Sequence, residues 1–140
     1  MVIQRWQTLI LLLAVALMCV FFMTPFAVEN ASNAEASREV FVTEAPVFMI
    51  INIVIAVLLF IAIFLYKNLR RQMTVTLVSI VLIAASIVSC GFILYAGMPD
   101  AAPVWLGGVS LLIVTLVLAL AAYRFMGRDR KLLSSYDRLR

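Results

Sequence analysis

The amino-acid sequence predicts an all-α, polytopic membrane protein: four transmembrane helices in an up-down-up-down antiparallel bundle, followed by a short C-terminal amphipathic helix on the membrane surface. Three observations lead there. Four apolar runs, Thr8 to Phe26, Pro46 to Tyr66, Met73 to Ala96 and Pro103 to Tyr123, are each long enough at about 1.5 Å per residue to cross a hydrocarbon core of about 30 Å. With 66% hydrophobic and 13% charged residues and a mean hydropathy of +1.15, the 140-residue chain has too little polar surface to coat a soluble domain. Of its 11 Lys and Arg residues, all but Arg38 lie on one side of the runs. No run alternates with period two, so the backbone groups in lipid must be satisfied within helices rather than in a barrel.

Taken in order, the first helix covers about 7–26. Arg5 precedes it, and its run exceeds the apolar stretch of about 7 to 15 residues in a cleaved signal peptide, so it is read as retained. The segment 27–45, rich in Asn, Ser, Ala and Glu, is a loop with a short extended piece at Val40 to Val42. A second helix spans about 46–66, with Thr43 or Glu44 as its cap and Pro46 in its first turn. The third spans about 73–97. The fourth, about 102–125, has Asp100 as its cap and Pro103 in its first turn. Links of about six residues on both sides of the third helix make helices two, three and four antiparallel neighbours. Gly127 can end the fourth helix. In the tail, 126–140, Leu132, Tyr136 and Leu139 recur at helical spacing among Arg128, Arg130, Lys131, Arg138 and Arg140, which predicts a surface helix whose charges meet anionic lipid.

The charge distribution sets the topology. Arg5, Lys67, Arg70, Arg71, Arg124, Arg128, Arg130, Lys131, Arg138 and Arg140 share one face, while Arg38 lies opposite among Glu29, Glu35, Glu39 and Glu44. Lys and Arg resist translocation, so both termini and the middle link are expected in the cytoplasm and 27–45 outside. Aromatic residues agree: Trp6, Tyr66 and Tyr123 fall near the cytoplasmic boundary, Tyr95 and Trp105 near the other.

Several chemistries are disfavoured. The net charge of +4 is divided between two membrane faces rather than gathered in a patch, which argues against nucleic acid. Without His, and with Cys19 and Cys90 isolated in apolar runs, no metal, cofactor or redox centre is expected. No charged residue stands inside the four apolar cores, whereas proton-coupled transporters generally need one there. No serine has a base to activate it, so no enzymatic activity is expected. The embedded polar residues are helix-packing candidates: Asn52, the costliest to bury, should bond to another helix, while Ala85 with Ser89 and Ser86 with Cys90 form small-residue pairs for close approach within or between subunits. Gly107 and Gly108 allow a bend or a close backbone contact.

The opening, Met1, Ile3, Gln4, Arg5, Gln7 and Thr8 leading into a leucine-rich helix, and the ending, Asp129, Lys131, Leu132, Ser135, Asp137, Arg138, Leu139 and Arg140, resemble a family of small four-helix membrane proteins of the Bacteroidota, a domain of unknown function. The resemblance implies residence in the inner membrane of a Gram-negative bacterium and no assigned activity. Both motifs fall on the cytoplasmic face, where Gln4 and Gln7 can meet Asp129 and Asp137. The candidate interaction surface is therefore Gln4, Arg5, Gln7, Asp129, Lys131, Asp137, Arg138 and Arg140. The leading expectation is an accessory or scaffold protein bound to a larger membrane complex or to a second copy of the chain. The alternative is a small transporter or channel for a neutral or apolar solute.

Overall fold

A computed structural model of the chain describes residues 2–29, 37–98 and 101–138. It is 84% helical. Among the described residues four helices are long and apolar enough to cross a membrane: α1 (Val2–Met23), α2 (Pro46–Phe64), α3 (Leu69–Phe92) and α4 (Ser110–Asp137). Short helical turns extend α2 through Leu65–Lys67 and α3 through Ile93–Gly97, and another, Trp105–Val109, leads into α4. Each of the four helices packs on two others: α1 on α2 and α4, and α3 on α2 and α4.

The buried positions of every helix follow one rule. They are Gln7, Leu11, Ala14, Met18 and Phe21 in α1; Phe48, Asn52, Ile55, Leu59 and Ala62 in α2; Gln72, Thr76, Ser79, Ile83, Ser86 and Cys90 in α3; and Leu112, Thr115, Ala119, Ala122, Met126 and Asp129 in α4. Steps of four and three alternate throughout, a mean repeat of about 3.5 residues, which keeps one narrow stripe of a helix facing its neighbours. The polarity is inverted relative to a soluble protein. Polar or small side chains occupy much of the stripes, while Leu9, Leu12, Val57, Phe60, Phe64, Val81, Val88, Phe92 and Val117 point outward. Large apolar side chains on every outer face are stable only where the surroundings are themselves apolar.

At the end of α1 the chain departs from the helices-only expectation. Three strands of three residues, β1 (Ala27–Glu29), β2 (Arg38–Val40) and β3 (Ala101–Pro103), form an antiparallel sheet in the order β2-β1-β3. Ala27 stands opposite Val40 on one side and Pro103 on the other. The extended piece expected at Val40 to Val42 thus lies two residues earlier, and Val42–Glu44 forms a tight helical turn. Pro103 belongs to an edge strand, where a missing N–H costs little, rather than to the first turn of α4. Neither Thr43 nor Glu44 caps α2; its N-cap is Ala45, with Pro46 at the first helical position. The expected cap Asp100 lies outside the described residues. Beneath the sheet, Phe26 packs on Phe48 with ring centroids 5.3 Å apart, and Phe48 meets Phe21 edge-on at 6.1 Å.

Gly108 is what lets α4 start this close. A Cβ built there would stand 2.7 Å from the Pro25 carbonyl oxygen and 3.0 Å from Phe26 Cβ, and closer still to Phe26 Cα. The same junction is stitched by the Val104 N–H donating to the Phe26 carbonyl at 3.0 Å and the Thr24 hydroxyl donating to the Gly107 carbonyl at 3.4 Å.

The tail also differs from expectation. It is no separate surface helix, because α4 runs unbroken through Gly127 to Asp137. Ending a helix at glycine uses its left-handed conformation, and no described glycine adopts a positive φ. The reason lies in the stripe: Met126 and Asp129 continue the spacing of Ala119 and Ala122 past Gly127, and that packing offsets the cost of about 1 kcal/mol for glycine in a helix. A Cβ at Gly127 would meet nothing within 4 Å. Gly127→Ala is therefore expected to stabilise the protein by up to about 1 kcal/mol in a denaturation series. A destabilised variant would mean that the helix ends there after all.

Candidate functional site

The first stripe position of α1 and the last of α4 meet, and both are strongly polar. Gln7 is 2% exposed and Asp129 8% exposed. The Gln7 Nε2 amide donates to Asp129 Oδ2. The other carboxylate oxygen, Oδ1, is buried without a partner and is the one side-chain nitrogen or oxygen in that condition among the described residues. A carboxylate oxygen withdrawn from water and left unbonded carries a penalty of a few kcal/mol.

Beside Asp129 runs a groove of about 750 Å³ between α1 and α4. Its lining is almost wholly apolar, from Trp6, Ile10, Phe125 and Leu132, and Arg128, Asp129 and Lys131 also line it. Neither Arg128 nor Lys131 has a carboxylate partner: the ion pair found among the described residues is Arg38–Glu44, 2.6 Å, exposed and far from here. A smaller hollow of about 470 Å³ is lined by Phe125 and Arg128 together with Ala121 and Arg124.

Of the other surface residues expected from the sequence, Lys131, Asp137 and Arg138 are all exposed on the projecting end of α4 and its last turn. Asp137 lies eight residues beyond Asp129, about 12 Å along the axis, and is not drawn into the Gln7 contact. The side chains of Gln4 and Arg5, and the whole of Arg140, lie outside the described residues.

The packing candidates separate by face. Ser86 Oγ donates to Asn52 Oδ1 at 2.9 Å, and Asn52 Nδ2 donates back to the Phe48 carbonyl at 2.8 Å, all of it buried. Ser86 and Cys90 face inward, whereas Ala85 is exposed and Ser89 half-buried, its hydroxyl donating to the Ala85 carbonyl at 2.8 Å. Cys19 is exposed, and both cysteines are free thiols. Sequence reasoning missed Gln72, whose amide reaches across to the Ala62 carbonyl at 3.0 Å, and Thr76, packed against the Met126 sulfur at 4.0 Å. The recurrence of Gln72, Thr76, Ser79 and Ser86 at steps of four, three and seven in an apolar run is the signal that marks them.

Four helices long and apolar enough to cross a membrane, packed on one another among the described residues, are the make-up of a small multi-pass membrane protein. The chain belongs to the family described as a domain of unknown function (DUF4293), whose model matches residues 3–139. No curated protein and no solved structure matches it.

Proposed function

We infer that the protein is a non-enzymatic, multi-pass protein of a bacterial inner membrane that holds a partner from a larger membrane complex at its cytoplasmic face. In this reading the helices cross up, down, up and down, with the Gln7–Asp129 end inside and the three-stranded sheet outside. The distribution of Lys and Arg supports that orientation, as does Arg38, the lone basic residue at the sheet end, which is paired with Glu44. The resemblance at the two termini supports the Bacteroidota and their inner membrane as the setting.

The observation that carries the docking role is the projecting end of α4. Asp137 lies 14 residues beyond the interfacial Tyr123, about 21 Å further along the axis, and every residue from 130 to 138 is exposed. That segment offers Leu132, Leu133 and Tyr136, the last 71% exposed, among Arg130, Lys131 and Arg138. An exposed apolar stripe rimmed by charge is the mark of a helix that seats in a partner's groove. Interior packing argues against the solute-channel alternative: Leu11, Met18, Ile55, Leu59, Ile83, Leu112 and Met126 are fully buried and close the space between the helices.

Leu132→Glu combined with Tyr136→Glu tests the reading. In gentle detergent the parent is expected to co-migrate with, and crosslink to, a partner that the double variant loses while its four spans stay inserted. A parent that migrates alone and crosslinks to nothing overturns it.

A further inference from the structure

We propose that the groove beside Asp129 is a binding site for one phospholipid bearing a primary amine in its headgroup, a phosphatidylethanolamine. The proposal rests on the membrane reading of the four helices and not on the docking role of the projecting α4.

Three features of the groove select that chemistry. The first is depth. The apolar run of α4 closes at Tyr123 and Arg124, and Asp129 stands six residues past Tyr123, about 9 Å along the axis. That distance reaches from the edge of the hydrocarbon into the headgroup layer. The groove therefore crosses the boundary, with Ile10 and Phe125 set to pack an acyl chain and Arg128, Asp129 and Lys131 set at the level of a headgroup.

The second feature is the orphaned oxygen. Asp129 is more than nine-tenths buried, its Oδ2 is taken by Gln7, and its Oδ1 has no partner. An ionised carboxylate only accepts hydrogen bonds, so whatever completes it must bring a donor. A primary ammonium brings three donors and a positive charge. A quaternary ammonium brings charge without an N–H, and a hydrocarbon brings neither.

The third feature is the pair of cations. Arg128 and Lys131 line the same groove as Asp129, without a carboxylate partner among the described residues. They suit the phosphate that lies next to the amine in the same headgroup. A carboxylate and two cations lining one groove are complementary to a zwitterion. A headgroup with a phosphate but no amine would satisfy the cations and leave Oδ1 without a cationic donor.

The test uses the full-length protein in lipid nanodiscs, with the lipids it retains on gentle release counted by native mass spectrometry. In discs of equimolar phosphatidylethanolamine, phosphatidylglycerol and phosphatidylcholine, the parent is expected to retain phosphatidylethanolamine about tenfold over phosphatidylcholine, equivalent to about 1.4 kcal/mol. Adding one, two and three N-methyl groups to the amine should lower retention stepwise, an outcome that needs no variant. Asp129→Asn keeps the shape and the Gln7 contact but removes the charge, and is expected to abolish the preference. Arg128→Ala with Lys131→Ala should weaken retention of every phospholipid and leave the ratio in place. Equal retention of the ethanolamine and choline lipids, phosphatidylglycerol held as well as phosphatidylethanolamine, or a preference unchanged in Asp129→Asn would each overturn the proposal. A protein that inserts and shows no preference contradicts the lipid site alone, whereas one that fails to enter the discs contradicts the membrane reading beneath it.

Discussion

Gly108→Ala is expected to lower the midpoint of thermal unfolding in detergent by on the order of 10 °C, while Gly107→Ala leaves it nearly unchanged. The two neighbours differ only in what a methyl group would meet. At Gly107 it would sit 3.8 Å from the Val104 side chain, an ordinary contact. At Gly108 it would be driven into the backbone of Pro25 and Phe26, and the Phe26 carbonyl is committed to the Val104 N–H. No rotamer change relieves a clash with backbone, so the start of α4 must move away from the end of α1. That movement would open the Phe21, Phe26 and Phe48 cluster and cost about 3 kcal/mol. Equal midpoints for the two variants would show that α4 does not approach Phe26 this closely.

The second large effect is a coupling between α1 and α4 at the opposite end. Gln7→Leu removes the single donor to Asp129 and leaves a buried carboxylate with two unmet oxygens, a loss of about 1–3 kcal/mol. Asp129→Leu strands the buried Gln7 amide at a similar cost. Replacing both by Leu removes the desolvated polar atoms together and is expected to restore much of the stability, so the cycle should return a coupling energy of about 1–3 kcal/mol. Denaturation of the four proteins in one detergent measures it. If the two single losses simply add, the side chains act independently and the contact does not hold the helices together.

What was legible in the sequence follows from the physics of lipid. Four spans are readable because each apolar run is about as long as the bilayer core or longer and the charges fall between them. The meeting of Gln7 with Asp129 was within reach in outline, since charge placed both on one face. The stripes were not legible from hydropathy, because in lipid the outward face is as apolar as the buried one: Leu11 and Leu12 look alike in the sequence, yet one is enclosed and the other faces out. Only embedded polar residues, among them Asn52, Thr76, Ser79, Ser86 and Thr115, mark the inward side. Gly127 misled for a related reason. Glycine favours a helix end locally, but the continued packing of Met126 and Asp129 on the same stripe overrides that preference. The three-stranded sheet joins a local pairing, Ala27–Glu29 with Arg38–Val40, to one between segments more than 70 residues apart, Ala27 with Pro103 among them, and no local pattern announces the second.

The proposed partner site requires the Gln7–Asp129 end to lie on the cytoplasmic side of the membrane. A paired topology reporter, active as a fluorophore only in the cytoplasm and as a phosphatase only outside, measures this when fused after Arg140 and, separately, inserted between Ser37 and Arg38. Fluorescence without phosphatase activity at Arg140, and phosphatase activity without fluorescence at the loop, is the expected result. Phosphatase activity at Arg140, or the same signal at both positions, would contradict it.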